Sequence, residues 1–267
     1  MKNITPLISI ITPSYFSEKH IEDCILSVLH QTYDNWEMLV IDGQSTDGTI
    51  RIVEKYSRKD KRIKLINNIE DDGPAQARAF GIKKAHGDYF AFIDSDDMWL
   101  PNKLELQLAF MIQNTYSFTF TRYRLIDKNG AESAASLGGH NSNTYNQYLR
   151  RRGIANSSVM LKRECINSDI LEAISSAHAE DTLWWLLIME NGYNAFALQK
   201  VLMIYRVLQN SRSSQVFKNQ QAVWSMYRDT LGLNIFHAFF SNSFYLIDVF
   251  FRRLKFFYFN KKMNRKI

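Results

Sequence analysis

Between residues 7 and 111 short β-branched runs alternate with segments of helical period. Leu7–Thr12 (LISIIT) is a β-branched run suited to a buried parallel strand, and Trp36–Ile41 (WEMLVI), Ile63–Asn67 and Tyr89–Ile93 (YFAFI) read as the three strands that follow. Between them lie helical stripes: Ile21, Ile25, Val28 and Leu29; then Ile50, Val53 and Tyr56. A third helix is expected from Gly73-Pro74 to about Ala85, with proline in the first turn, where its missing N–H costs nothing. A fourth starts at Pro101 and carries Leu104, Leu108 and Met111. Ser17 reads as the cap of the first helix and Asp97 as a cap near Pro101. Strand–helix alternation with short loops demands an α/β fold with a mainly parallel, Rossmann-like sheet flanked by helices. Right-handed crossovers bring every strand's C-terminal end to one edge, and ligands bind there. An apolar fraction of 46% in 267 residues is ample for such a core and excludes a disordered or collagen-like chain.

Beyond Tyr116–Asp127 the pattern loosens. Asn129-Gly130 is a turn signal and Ser133–Asn146 a Gly/Ser/Asn-rich loop. Ser157–Leu161, a helix from Glu180 to Asn191, and the short runs Ala195–Leu198 and Val201–Tyr205 close a globular unit over residues 1–217. Residues 218–267 read as a helical extension, and no internal repeat is found. Cys24 and Cys165 form neither a disulfide framework nor a zinc pattern. Cys24, among Ile21, Ile25 and Val28, is a core thiol. No long apolar leader opens the sequence, so a cytoplasmic location is expected. The charge of +6 is unevenly spread: residues 249–267 hold 7 Lys and Arg and no acid, leaving 26 basic against 27 acidic residues elsewhere. An electrically balanced globule is a poor nucleic-acid binder.

Three of the four strands end in carboxylates: Asp42, Glu70-Asp71-Asp72, and Asp94-Ser95-Asp96-Asp97. One acid at a strand end is commonly a cap. Several on one edge repel unless a cation sits there, which favours oxygen-ligated Mg²⁺ or Mn²⁺ bridging a diphosphate. Gly43–Thr49 has the glycine spacing of a P-loop but Thr49 where lysine must be, and no G-x-G-x-x-G follows the first strand.

The order P-S-Y, D-G-Q-S-T-D-G-T, A-R-A-F-G-I, D-S-D-D-M-W and A-E-D closely resembles family 2 of the inverting glycosyltransferases with the GT-A fold, over roughly residues 7–207. The resemblance implies transfer of a sugar from a nucleotide-sugar, expected to be a UDP-sugar, to an acceptor hydroxyl with inversion at the anomeric carbon. It further implies that Tyr15, beside Pro13, packs near the base and that Asp42 accepts from the base N3–H. Asp94 and Ser95 would lie at the ribose, Asp96 with Asp94 would hold Mn²⁺ or Mg²⁺, and Arg78 would lie near the phosphates. Arg206 would return over the phosphates, with Ser211 and Ser213 following; a solvated loop arginine is the plainer alternative. The chain departs from the family in having Phe16 after Tyr15, Gly43-Gln44 in the second motif, and Ala79 after Arg78.

Inverting transfer needs a carboxylate to take the acceptor's proton. By the same resemblance Asp181, with Glu180 beside it, supplies that base; the residues alone also allow two acids that merely favour a helix dipole. His178 is a loop residue. Trp184 and Trp185 follow, one expected in the core and the other open between core and sugar platform.

Residues 235–259 are rich in aromatics but interrupted by Asp248, Arg252, Arg253 and Lys255, so they do not span a membrane. As a helix they set His237, Ser241, Asp248, Arg252 and Lys255 on one stripe and phenylalanines elsewhere. Such a helix suits an anionic membrane surface, with packing on the domain or in an oligomer as the alternative. The expectation is a peripheral enzyme on the inner face of the cell membrane, adding a sugar to a lipid-linked saccharide of a capsule, lipopolysaccharide or exopolysaccharide. A sugar-phosphate nucleotidyltransferase would need a Gly-rich basic loop where Pro13-Ser14-Tyr15-Phe16 stands. A non-catalytic membrane scaffold of the same fold is the other alternative.

Overall fold

The computed structural model describes residues 5–68, 73–126, 130, 132–133, 136–176, 181–207 and 220–263. Its first half follows the alternation closely: β1 (Ile8–Ser14), α1 (Ile21–Leu29), β2 (Trp36–Asp42), α2 (Thr49–Lys59), β3 (Ile63–Asn67), α3 (Pro74–Lys84), β4 (Tyr89–Phe92). A two-residue strand β5 (Met98–Trp99) precedes α4 (Lys103–Asn114) and β6 (Phe118–Ile126). Then come β7 (Ser142–Asn143), α5 (Tyr145–Arg150), β8 (Met160–Lys162), α6 (Ser168–Ser176), α7 (Asp181–Glu190), β9 (Ala195–Arg206), α8 (Gln220–Ser225) and α9 (Ile235–Met263).

Among the described residues nine strands form one sheet in the order β3-β2-β1-β4-β8-β6-β9-β5, with β7 on β9. β1 pairs in parallel with β2 and β4, β2 with β3, and β6 with β9, while β8 lies antiparallel between β4 and β6. Every residue of β1 and β2 is buried, which explains their lack of polar alternation. One face of the sheet packs Ile25, Val28, Val53, Leu104 and Met111 from α1, α2 and α4. The other packs Ala77, Ile82, Leu149, Ile170, Trp184 and Trp185 from α3 and α5–α7. At Gly81 any β-carbon would come within 2.8 Å of Ile11, so glycine lets α3 lie close on the sheet. Gly73 enters that helix at φ 107, a left-handed conformation that suits glycine ahead of Pro74.

Several expectations are corrected. Ser17 caps nothing: His20 is the N-cap of α1, and the Ser17 hydroxyl bonds Tyr15 O and the Ser95 hydroxyl instead. Asp97 is no helix cap but a buried group bonded to Ser157 and Arg206, while α4 starts two residues after Pro101. The runs 195–198 and 201–205 form one strand, because β9 absorbs the intervening polar residues in register shifts against β6. The 133–146 stretch holds β7 and the start of α5, where Thr144 and Gln147 form a reciprocal capping box. Strand β8 starts at Met160 because Asn156–Ser158 form a 3₁₀ turn. Both Trp184 and Trp185 are core, each edge-on to Phe92.

The C-terminal segment is not one helix. A π-helical turn, Met226–Thr230, follows α8, and Gly232 at φ 60 breaks the chain before α9. Val223, Tyr227 and Ala238 join the core that holds Trp184 and Trp185. Ser241, expected on a polar stripe, is fully buried, as are Ala238, Tyr245 and Val249, so this part of α9 turns that side toward the domain. The side chains of Arg252, Arg253, Lys255 and Phe257 lie outside the described residues. No helix among the described residues is long and apolar enough to cross a membrane.

Candidate active site

Because β1, β2 and β4 run in parallel, their C-terminal ends bring Ser14-Tyr15, Asp42 and Asp94 to one edge. Pro13 pairs with Ile41 and Ser14 with Asp42 in the last steps of the ladder, and both sit buried beneath the edge. Asp42 is buried and accepts from the Ser45 amide at 2.8 Å and the Ser45 hydroxyl at 2.7 Å. Ser45 in turn accepts from the Phe16 amide at 2.9 Å, tying the loop after β1 to the loop after β2. Tyr15 and Phe16 stand half out of the protein, edge to face at 4.5 Å. Phe16 has φ 48, a left-handed conformation that costs a bulky residue on the order of 1–2 kcal/mol. Strain of that kind collects at binding sites.

The acidic loop after β4 is braced from several sides. The Asp94 amide donates to Ser157 Oγ at 2.9 Å, and Asp94 Oδ1 accepts from Asn156 Nδ2 at 3.1 Å and Arg78 Nη2 at 2.6 Å. Ser95 shares a 2.7 Å hydrogen bond with Ser17. Asp97 accepts from Ser157 Oγ at 2.5 Å and the Arg206 amide at 3.0 Å. Burial, then the negative charges of Asp96 and Asp94, push its carboxyl well above the usual range. The guanidinium of Arg206 donates to the Asp96 carbonyl at 2.9 Å and pairs with Asp23 at 3.0 Å, so it clamps this loop to α1.

Burial first, and then Asp94, raise the Asp96 carboxyl to about 6. Two neighbouring carboxylates at a strand end supply hard oxygen donors of the kind a divalent cation takes. Among the described residues no three His, Cys, Asp or Glu side chains converge, so an ion on Asp94 and Asp96 would complete its shell with water and substrate phosphates, as Mg²⁺ and Mn²⁺ do.

Arg78, on the buried side of α3, joins this loop to the second acidic element. Its side chain is 5% exposed and pairs through Nη2 with Asp94 and through Nη1 with Asp181. Asp181 opens α7 and keeps 37% of its side chain accessible, where a helix N-terminus favours its negative charge. Asp42, Asp94, Asp96 and Asp181 are therefore gathered at the sheet edge, with Arg78 joining Asp94 to Asp181. Arg206 lies beneath the acidic loop rather than in open solvent. Glu70-Asp71-Asp72, His178, Glu180, Ser211 and Ser213 lie outside the described residues. Asn156 and Ser157, which hold Asp94 and Asp97, were invisible in the sequence: a 3₁₀ turn carries no periodic signal, and only the antiparallel insertion of β8 beside β4 brings them here.

A mainly parallel sheet with acids at its C-terminal edge and a second acid at a facing helix start defines an α/β domain built to bind its ligand at that edge. The glycosyl transferase family 2 model matches residues 9–165, and the chain belongs to that family. It is 37% identical over 238 residues, 89% of this chain and 94% of the relative, to TuaG of Bacillus subtilis, described as a teichuronic acid biosynthesis glycosyltransferase. WfgD of Escherichia coli, a UDP-Glc:α-D-GlcNAc-diphosphoundecaprenol β-1,3-glucosyltransferase, is 39% identical over 84% of this chain and 86% of its own. TarS of S. aureus, solved with UDP-GlcNAc, superimposes with a TM-score of 0.69 at 22% identity, covering 86% of this chain and 69% of that one. The protein is thus a GT-A-fold glycosyltransferase.

Proposed function

We propose that this enzyme moves a sugar from a UDP-sugar to a hydroxyl of a lipid-linked saccharide during cell-surface polysaccharide synthesis, with inversion and with help from Mn²⁺ or Mg²⁺. The observation that carries this reading is Arg78, whose one guanidinium binds the strand-end acid Asp94 and the helix-start acid Asp181 together. Donor-side and acceptor-side chemistry are thereby only one side chain apart. WfgD's stated donor and diphosphoundecaprenol acceptor support the choice of substrates.

Tyr15 offers a ring beside Pro13 for the base, Asp42 an acceptor for its N3–H, and Ser95 with Asp94 the ribose contacts. A divalent ion on Asp94 and Asp96 would supply the positive charge that a departing diphosphate requires. Asp181 takes the proton from the acceptor hydroxyl as that oxygen attacks the anomeric carbon; the bond to the diphosphate oxygen breaks with its electron pair on that oxygen. Arg78 orients the Asp181 carboxylate through Nη1, and Arg206 keeps the acidic loop in register. Glu180 would stand next to the base. Residues 1–217 carry the chemistry, and 218–267 keep the protein at the inner membrane face, alone or as an oligomer. The test is Asp181→Asn with a UDP-sugar panel and a diphosphate-lipid saccharide acceptor. Loss of a general base should slow transfer by about 10²–10⁴-fold while UDP binding persists. Parental turnover in that variant would remove Asp181 from the role.

A further inference from the structure

Helix α9 is apolar on two opposite sides. Ala238, Ser241, Tyr245 and Val249 face the domain and are buried. At 100° per residue, Phe236, Phe239, Phe240, Phe244, Phe250 and Phe251 fall on the opposite half of the circumference. They are 47–75% exposed. Eight of the eleven exposed large apolar side chains among the described residues lie on this helix, which makes them a contiguous patch rather than scattered surface hydrophobes. From Ile235 to Phe251 it runs about 24 Å.

The patch is fixed to the catalytic unit. The Arg152 guanidinium lies 4.0 Å over the Tyr245 ring of α9 and donates to the Tyr227 hydroxyl at 2.7 Å. That hydroxyl donates to Leu149 O at the end of α5 at 3.0 Å. The same chain segment leads directly from Arg152 to Asn156 and Ser157, which hold the acidic loop. Two further arginines precede it: Arg150 and Arg151 are exposed, and Arg150 reaches over the ring of Phe244 at 5.7 Å. The acid nearest them in α9's sequence, Asp248, is half-buried on the domain side, so the outward face offers no carboxylate to these guanidinium groups.

We propose that this chain binds an anionic lipid surface through a rigid platform made of the outward face of α9 together with Arg150 and Arg151 at the C-terminal end of α5. The inference rests on the membrane-bound acceptor proposed above but assigns the attachment to the folded domain, where the basic run of 252–267 is an addition and not the anchor. Exposed phenylalanines suit the acyl boundary, and the arginines at their rim suit anionic headgroups. A second copy seated on the same patch in two-fold symmetry would set cationic rim against cationic rim, and the outward face of α9 has no carboxylate to pair them.

The test is co-sedimentation of the full chain with phosphatidylglycerol/phosphatidylcholine vesicles and with phosphatidylcholine alone, without nucleotide or acceptor. Vesicle binding so measured is independent of whether the enzyme transfers sugar. The parent should sediment with the anionic vesicles. Each basic residue at an anionic surface contributes roughly fivefold, so Arg150→Gln with Arg151→Gln should weaken binding about 30-fold. Phe239→Glu with Phe250→Glu should abolish it. Both are surface changes, and unchanged far-ultraviolet dichroism and melting of each variant show that the fold is kept. Parental binding by either double variant, with loss only when the 252–267 charges are neutralised, would overturn the platform. So would a parent that ignores vesicles and is a dimer by light scattering, made monomeric by the Phe→Glu pair.

Discussion

Replacing Arg78 by methionine keeps the length of the side chain's buried stem and removes the charge that joins two acids. Arg78 is 5% exposed, whereas Asp94 and Asp181 keep 30% and 37% of their side chains accessible. Removing one partner of a buried ion pair costs about 3–5 kcal/mol. Here water reaches both orphaned carboxylates, so the loss falls at the lower end, about 3 kcal/mol. With 267 residues and roughly 2.1 cal/mol/K of unfolding entropy per residue, that is a fall of about 5 °C in melting temperature. Arg78→Lys retains a point charge that can serve one acid at a time, and should recover about half of the fall. Turnover should drop at least tenfold in Arg78→Met, because the base is no longer held. A double-mutant cycle with Asp181→Asn should show a coupling of about 1–2 kcal/mol. Calorimetric melting of the parent, the three single variants and the double variant is the assay. Melting of Arg78→Met within a degree of the parent, or a cycle that closes at zero, would refute the bridging role.

Asp96→Asn should leave melting intact and remove the Mn²⁺ dependence of UDP binding measured by titration calorimetry; unaltered metal-dependent binding would reassign the ion. Glu37, whose burial alone would raise its carboxyl, is instead brought from 4.5 to about 2 by Lys64, the His86 amide and the Ser9 hydroxyl. A depressed acid stabilises the fold above its unfolded value and loses that contribution as pH falls from about 4.5 to about 2. Glu37→Gln should therefore cost up to about 3 kcal/mol at pH 7 and almost nothing near pH 2, as read from urea unfolding at both. Phe16→Asn places a residue tolerant of left-handed backbone at φ 48, so melting should rise by about 2 °C while UDP binds several-fold more weakly; a lower melting point would mean the conformation is not strained.

The parallel half of the sheet was legible because its signals are local. β1 through β4 announce themselves by apolar runs that need no knowledge of neighbours, and the acids at their ends follow from topology. Residues whose roles come from distant partners were read wrongly or not at all. Asp97 has the sequence context of a cap, yet it serves as a buried acceptor for Ser157 and Arg206, 60 and 109 positions away. β5 and β7 are two residues each, too short for any period, and exist because β9 offers them an edge. Ser241 looked polar in its stripe, yet it is fully buried where α9 meets the domain. Its hydroxyl finds no partner there, so close packing outweighs one lost hydrogen bond.

The acidic loop is steadied by Asp23, Arg78, Ser157 and Arg206, groups drawn from nearly the whole length of the folded unit. A ribosome making this chain releases Asp94 and Asp96 long before Ser157 and Arg206. A nascent polypeptide halted near residue 165, where the family model ends, already carries all the strand-end acids. It still lacks β9, the Arg206 clamp and the Asp181 partner of Arg78. Such an intermediate can brace Asp94 through Arg78, Asn156 and Ser157 but lacks the β9 contacts to Asp96 and Asp97, so the loop is complete only about forty residues later.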